Sequence, residues 1–99
     1  MALNSTARVA TDRADRYRKQ LASHFGHKIE IREEADGTVL VWGGGGTTTL
    51  TVTDDALVMV ASAEDAAGLD RVEDVTGKHL VRFGEKDELV VEWQRESAA

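Results

Sequence analysis

The residues with the widest chemistry in this chain are its three histidines, His24, His27 and His79. His24 and His27 stand three apart, and His79 lies far along the chain, four residues before Phe83. Neutral imidazole is a common metal ligand, and three imidazoles at one point leave an open position for water or substrate. A carboxylate such as Glu30, Glu73 or Asp74 could orient a ring or complete the set. His24, His27 and His79 are therefore the candidate ligands for a divalent or ferric metal. Spacing leaves a second reading open, in which each imidazole is half-buried and hydrogen-bonded to a different carbonyl. The His-x-x-His pair is not the His-Glu-x-x-His helix of zinc proteases.

Other reactive patterns are missing. There is no Cys, which excludes disulfides, thiolate metal sites and cysteine nucleophiles. The serines sit in no Gly-x-Ser-x-Gly context. The run Gly43 to Gly46 lacks the Gly-Lys-Ser/Thr of a phosphate loop and leads into a strand, so it reads as a hairpin connection. Glu33-Glu34 and Glu73-Asp74 read as solvated pairs, and Asp54-Asp55 as turn chemistry. No acid–base pair can be placed, no catalytic residue is assigned, and binding is the reading carried forward.

Charge adds a second candidate. The chain carries 12 Lys and Arg against 18 Asp and Glu, a net charge of −6. Acidity on this scale argues against a general nucleic-acid binder. The distribution is uneven: residues 1–28 hold six bases and two acids, and residues 29–99 hold six bases and sixteen acids. One basic element thus rides on an acidic body. It is either a solvated helix face or a surface for an anionic ligand, with Arg13 and Arg16 as the contacting residues. No segment approaches the roughly 18 apolar residues of a membrane span, and the start has no signal-peptide pattern. The expected address is the cytoplasm.

These side chains need elements to position them. Ala10, Ala14, Tyr17, Leu21 and Phe25 recur at helical spacing, behind a Thr11 cap and before Gly26. The pattern predicts a helix over 12–25, preceded by a loose arm at 1–8. The period then changes to two. Strands are expected at 27–33, 38–42, 47–53 and 56–61, with an Asp36-Gly37 turn after the first. His27, Ile29 and Ile31 share one face of the first strand, and Leu50 and Val52 point inward from the third. Leu69, Val72, Thr76, His79, Leu80 and Phe83 form a helical stripe after Ser62 and Asp65, ended by Gly84. A last strand is expected over 88–94, with Leu89, Val91 and Trp93 on one face. The order is α-β-β-β-β-α-β. It implies an α+β fold: an antiparallel sheet of about five strands with two helices on one face. With 99 residues this is one domain, with an ordered core about 9–94.

The segments Arg8-Val9-Ala10-Thr11-Asp12-Arg13-Ala14 and Leu21-Ala22-Ser23-His24-Phe25-Gly26-His27-Lys28 resemble the opening of domain of unknown function family 2218. Leu69 to Val75, Gly77-Lys78-His79-Leu80-Val81-Arg82-Phe83 and the close Leu89-Val90-Val91-Glu92-Trp93-Gln94 resemble its later motifs. The likeness covers about residues 7–95, and all three histidines fall on its motifs. It implies a small bacterial protein with a TATA-box-binding-protein-like α+β fold. Members occur alone, or joined to siderophore-interacting flavin reductases that act on ferric chelates. An accessory module in iron and siderophore handling follows as the expected role, with a ferric chelate or such a flavoprotein as partner. This chain has no flavin or nicotinamide motif. The competing expectation is a non-enzymatic homodimer, formed through the open sheet face or a Thr-rich edge.

Overall fold

The computed structural model describes residues 3–35, 37–43 and 45–96. Six strands form one antiparallel sheet, ordered β2-β3-β4-β5-β1-β6. They are β1 (Leu3–Ala10), β2 (Glu30–Glu34), β3 (Gly37–Val41), β4 (Thr47–Val52), β5 (Ala56–Ala63) and β6 (Gln94–Arg95), with helices α1 (Ala14–Phe25) and α2 (Ala66–Phe83). β2 to β5 form the expected meander, with Ile31 opposite Leu40, Leu40 opposite Thr48, and Leu50 opposite Met59. The α+β class stands, with one strand more than expected.

The register puts Ser5, Ala7 and Val9 on the same face as Leu57, Met59 and Ala61. Both helices cover this face. Tyr17, Leu21 and Phe25 of α1 and Leu69, Val72 and Leu80 of α2 are buried against it. The other face carries the half-buried Val39, Val41, Val58 and Val60, and among the described residues no helix lies over it.

Several expectations are corrected. The supposed loose arm at 1–8 is, from Leu3 onward, a strand lying between β5 and β6. Its inward residues Ser5 and Ala7 are small, so its alternation carries little apolar signal. α1 starts at Ala14. Thr11 still accepts a backbone hydrogen bond, from Arg13 N–H at 3.1 Å, but Arg13 is the N-cap residue. Gly26 is right-handed (φ −60°), not the left-handed cap expected. Ser62, the expected cap of α2, is instead paired within β5, and Asp65 caps the helix by accepting from Gly68 N–H at 2.7 Å. Val52 is exposed, because the inner face of β4 ends at Leu50. The Thr-rich strand β4 is internal, and the edges are instead the two-residue β6 and β2, whose alternating charges discourage further pairing. Asp36, from the expected turn, and Gly44, from the glycine run, lie outside the described residues.

The closing segment keeps its expected face and loses most of its pairing. Leu89 is buried, and Val91 and Trp93 pack on the core, yet only Gln94 and Arg95 pair with β1. The reason lies in α2. Gly77 has no side chain, so the Trp93 indole and Val91 lie directly on the helix. That contact compensates the roughly 1 kcal/mol of helix propensity that a glycine costs. Arg95 then clamps the end of the chain by donating to Glu73 at 2.9 Å and to Asp70. Burial pushes the Glu73 carboxyl up, but the hydrogen bonds from Arg95 outweigh it and hold the group below its ordinary range.

Candidate functional site

The two helices meet along a seam, and the site lies there. His24 sits in the last turn of α1 and is exposed. His79 sits on α2, half-buried, with its ring centre 5.0 Å from that of His24 and the planes tilted by 42°. The Nδ1 of His79 lies 2.7 Å from the Val75 carbonyl oxygen. A carbonyl only accepts, so Nδ1 carries the hydrogen in this contact, and the neutral tautomer it selects is the one with its lone pair on Nε2.

Aromatic rings hold the pair in place. Phe25 stands edge-on to both imidazoles, with centres 5.0 Å from His24 and 4.8 Å from His79. Phe83 lies 5.3 Å from His24 and 6.1 Å from His79. Behind Phe25 comes Trp42, at 4.8 Å. The Trp42 indole N–H donates to Thr48 Oγ1 at 2.9 Å, and Thr48 Oγ1 lies 3.1 Å from Thr76 Oγ1. Both threonines are fully buried. Because the indole can only donate, these two hydroxyls are satisfied in a chain inside the core.

His27 does not join the pair. α1 ends at Phe25, and its carbonyl accepts from both Lys28 N–H and Ile29 N–H at 2.9 Å, which folds residues 26–28 into a turn. β2 begins only at Glu30, so His27 is carried into an exposed turn rather than onto the inner face of a strand. Among the described residues, no group of three or more His, Asp or Glu side chains is placed to hold a metal ion. The carboxylates considered as partners are engaged elsewhere: Glu30 with Arg32, Glu73 with Arg95, and Asp74 with Lys78 at 3.2 Å. The three-histidine set is thereby corrected to a pair.

Two imidazoles sharing a tetrahedral ion through bonds of about 2.0–2.1 Å have ring centres about 5 Å apart, a separation that ordinary packing of aromatic rings also gives. The carbonyl-anchored His79 has the outer contact that fixes a ligand's tautomer and orientation. A mononuclear ion held here by His24 and His79 would keep open positions for oxygen donors from outside the protein.

Beside the pair, α1 and the residues after α2 enclose a cleft of about 280 Å³ that Phe83 also lines. Arg13 and Arg16, the basic residues expected to meet a ligand, both line it. Tyr17 is buried at its wall and donates its hydroxyl to Asp87, whose Oδ2 also lies 3.7 Å from Arg13. Arg82 and Lys86 complete its basic lining, and the sequence reading missed both. Gly84 was a usable signal, since the end of α2 there lets the chain turn Lys86 back towards α1.

Burial, and then the hydrogen bond to Asp87, push the Tyr17 phenol above its ordinary value. The fold thus favours the protonated phenol. The unfolded chain ionises first, so this contribution to stability is present below about pH 10 and is lost as the pH rises through the folded value. Tyr17 is the only tyrosine, so absorbance at the phenolate band reads it directly. A midpoint above about 10 is expected. A midpoint at or below that value would mean that the hydroxyl reaches water freely.

The comparisons with known proteins agree with this architecture. The family described as "Uncharacterized protein conserved in bacteria (DUF2218)" matches residues 6–94. This chain belongs to that family. No curated protein matches it. A solved structure similar to this DUF2218 chain is the NMR structure of PA4090 from Pseudomonas aeruginosa. The two share 28% identity with a TM-score of 0.77, over 93% of this chain and 95% of that one. The DUF2218 match spans β1 to the start of β6, and so includes both histidines of the seam and the whole basic cleft. Among the described residues of this DUF2218 domain, no helix is long and apolar enough to cross a membrane.

Proposed function

We propose that this DUF2218 domain is a small cytoplasmic binding module that takes a metal, divalent or ferric, at His24 and His79. Its role is accessory to iron and siderophore utilisation. The observation that carries this reading is the imidazole pair at 5.0 Å with the His79 tautomer fixed by Val75. Imidazole suits zinc, copper, nickel and iron, and a two-histidine site accepts a metal that still carries oxygen donors of a chelator. Arg13 and Arg16 support the reading, because positive charge beside the pair raises the encounter rate with an anionic chelate. The link to siderophores rests on the family resemblance, with a ferric chelate or a siderophore-interacting flavoprotein as partner.

Titration of the protein with zinc, nickel and ferric citrate, followed by imidazole proton and nitrogen resonances, tests it. Saturable binding is expected to weaken at least about tenfold in His24→Ala and in His79→Ala, and to persist in His27→Ala. Binding of equal strength in all three variants would overturn the assignment.

A second reading has its own observation. Val39, Val41, Val58 and Val60 lie on the sheet face that no helix covers, which favours a homodimer packed through that face. A mass that stays monomeric across concentration in light scattering removes this reading.

A further inference from the structure

We propose that the cleft between α1 and the turn after α2 is a binding site for a dianionic oxyanion, a phosphate group or a dicarboxylate. This goes beyond the histidine reading and does not require a metal.

Among the described residues, seven of the twelve basic side chains form ion pairs: Arg8, Arg13, Arg18, Lys19, Arg32, Lys78 and Arg95. In a chain with eighteen acids such pairing is easily arranged. Of the remaining five, Lys28 and Arg71 lie outside this cleft, and Arg16, Arg82 and Lys86 all line it. They come from two segments far apart in sequence, so a helical stripe does not explain their meeting.

The acids of the cleft do not cancel them. Asp87 is already held by Tyr17 and Arg13, which leaves Glu85 against Arg16, Arg82 and Lys86. The unbalanced charge is two positive units, which a dianion neutralises. Two guanidinium groups offer the planar, paired donors that match carboxylate and phosphate oxygens, and the ammonium adds a point charge. Phe83 and the buried Tyr17 ring supply an apolar wall, and the volume of about 280 Å³ accommodates a small ligand. Since Phe83 also packs on His24, a chelate with free carboxylates would place them here with its metal at the histidines.

The test uses the full chain with no metal added. Inorganic phosphate, citrate and sodium chloride are titrated at equal ionic strength, and backbone amide shifts are followed. Saturable shifts confined to residues 13–20 and 82–87 are expected with phosphate or with citrate. Saturation by phosphate alone identifies a phosphate ligand, and saturation by citrate alone a carboxylate one. Arg16→Gln with Arg82→Gln should weaken binding at least tenfold, and Arg71→Gln, outside the cleft, should leave it unchanged. Arg16 and Arg82 are both exposed, so the double variant should keep its melting temperature. Shifts that follow ionic strength alone, or saturable binding unaltered in the double variant, would overturn the proposal. Loss of metal binding in the histidine variants would leave this result untouched.

Discussion

Gly37→Ala is expected to destabilise the protein by about 3 kcal/mol, a figure at the upper end for forcing a side chain into disallowed backbone space. Gly37 opens β3 with φ at +147°, which L side chains rarely adopt. A Cβ built there lies 2.3 Å from the Leu50 carbonyl oxygen. That obstacle is backbone in the middle of the sheet, so it cannot turn aside as a side-chain tip would. Relief requires β3 to shift against β4, where Thr38 pairs with Leu50. A shift there also disturbs the fully buried Thr38, which accepts from Arg18 at 2.8 Å and donates to Glu33. For a domain of this size the melting temperature should fall by about 12–24 °C. A thermal melt of the variant within a few degrees of the parent would show that the turn adapts without moving the ladder.

The second large effect contrasts two neighbours on α2. Leu80 is fully buried in the core, and Leu80→Ala should cost about 2–5 kcal/mol, from lost burial together with the cavity left behind. Val81, the next residue, is 42% exposed, and Val81→Ala should stay within about 0.5 kcal/mol. Urea denaturation measures both. The Leu80→Ala midpoint should move far with little change of slope, and that of Val81→Ala hardly at all. Equal shifts would mean that α2 is rotated from the orientation described here. Such a rotation would also carry His79 away from His24, so the pair of variants checks the site through the core.

Both helices were legible in the sequence because their buried residues are large and regularly spaced. Tyr17, Leu21 and Phe25 declare one face of α1, and Leu69, Val72 and Leu80 one face of α2. The meander was legible through its change of period. β1 was not, since Ser5 and Ala7 fill inner positions that accept only small groups beneath α2. The missing pairing of residues 88–93 depends on the approach of Trp93 to Gly77, a contact between distant segments that local alternation does not encode. Of the site, His79 was legible on the apolar stripe of α2, whereas His24 only flanks the buried face of α1 and stays exposed at the seam. His27 was misplaced because its alternation with Ile29 and Ile31 continues through a turn: a two-residue period places side chains only once the backbone is extended. The Trp42–Thr48–Thr76 chain was invisible for a similar reason, as a threonine on an apolar stripe looks the same whether its partner is present or absent.

The neighbouring of β1 and β6 has a consequence for how this domain can be combined with others. Glu96 N–H donates to the Asn4 carbonyl at 3.0 Å, so the first and last described strands finish at one corner of the sheet. A host polypeptide could therefore enter and leave at a single point, and the domain could be spliced into a surface loop of another protein without stretching that loop. The histidine seam would arrive already assembled, because every residue that forms it lies between the two splice points.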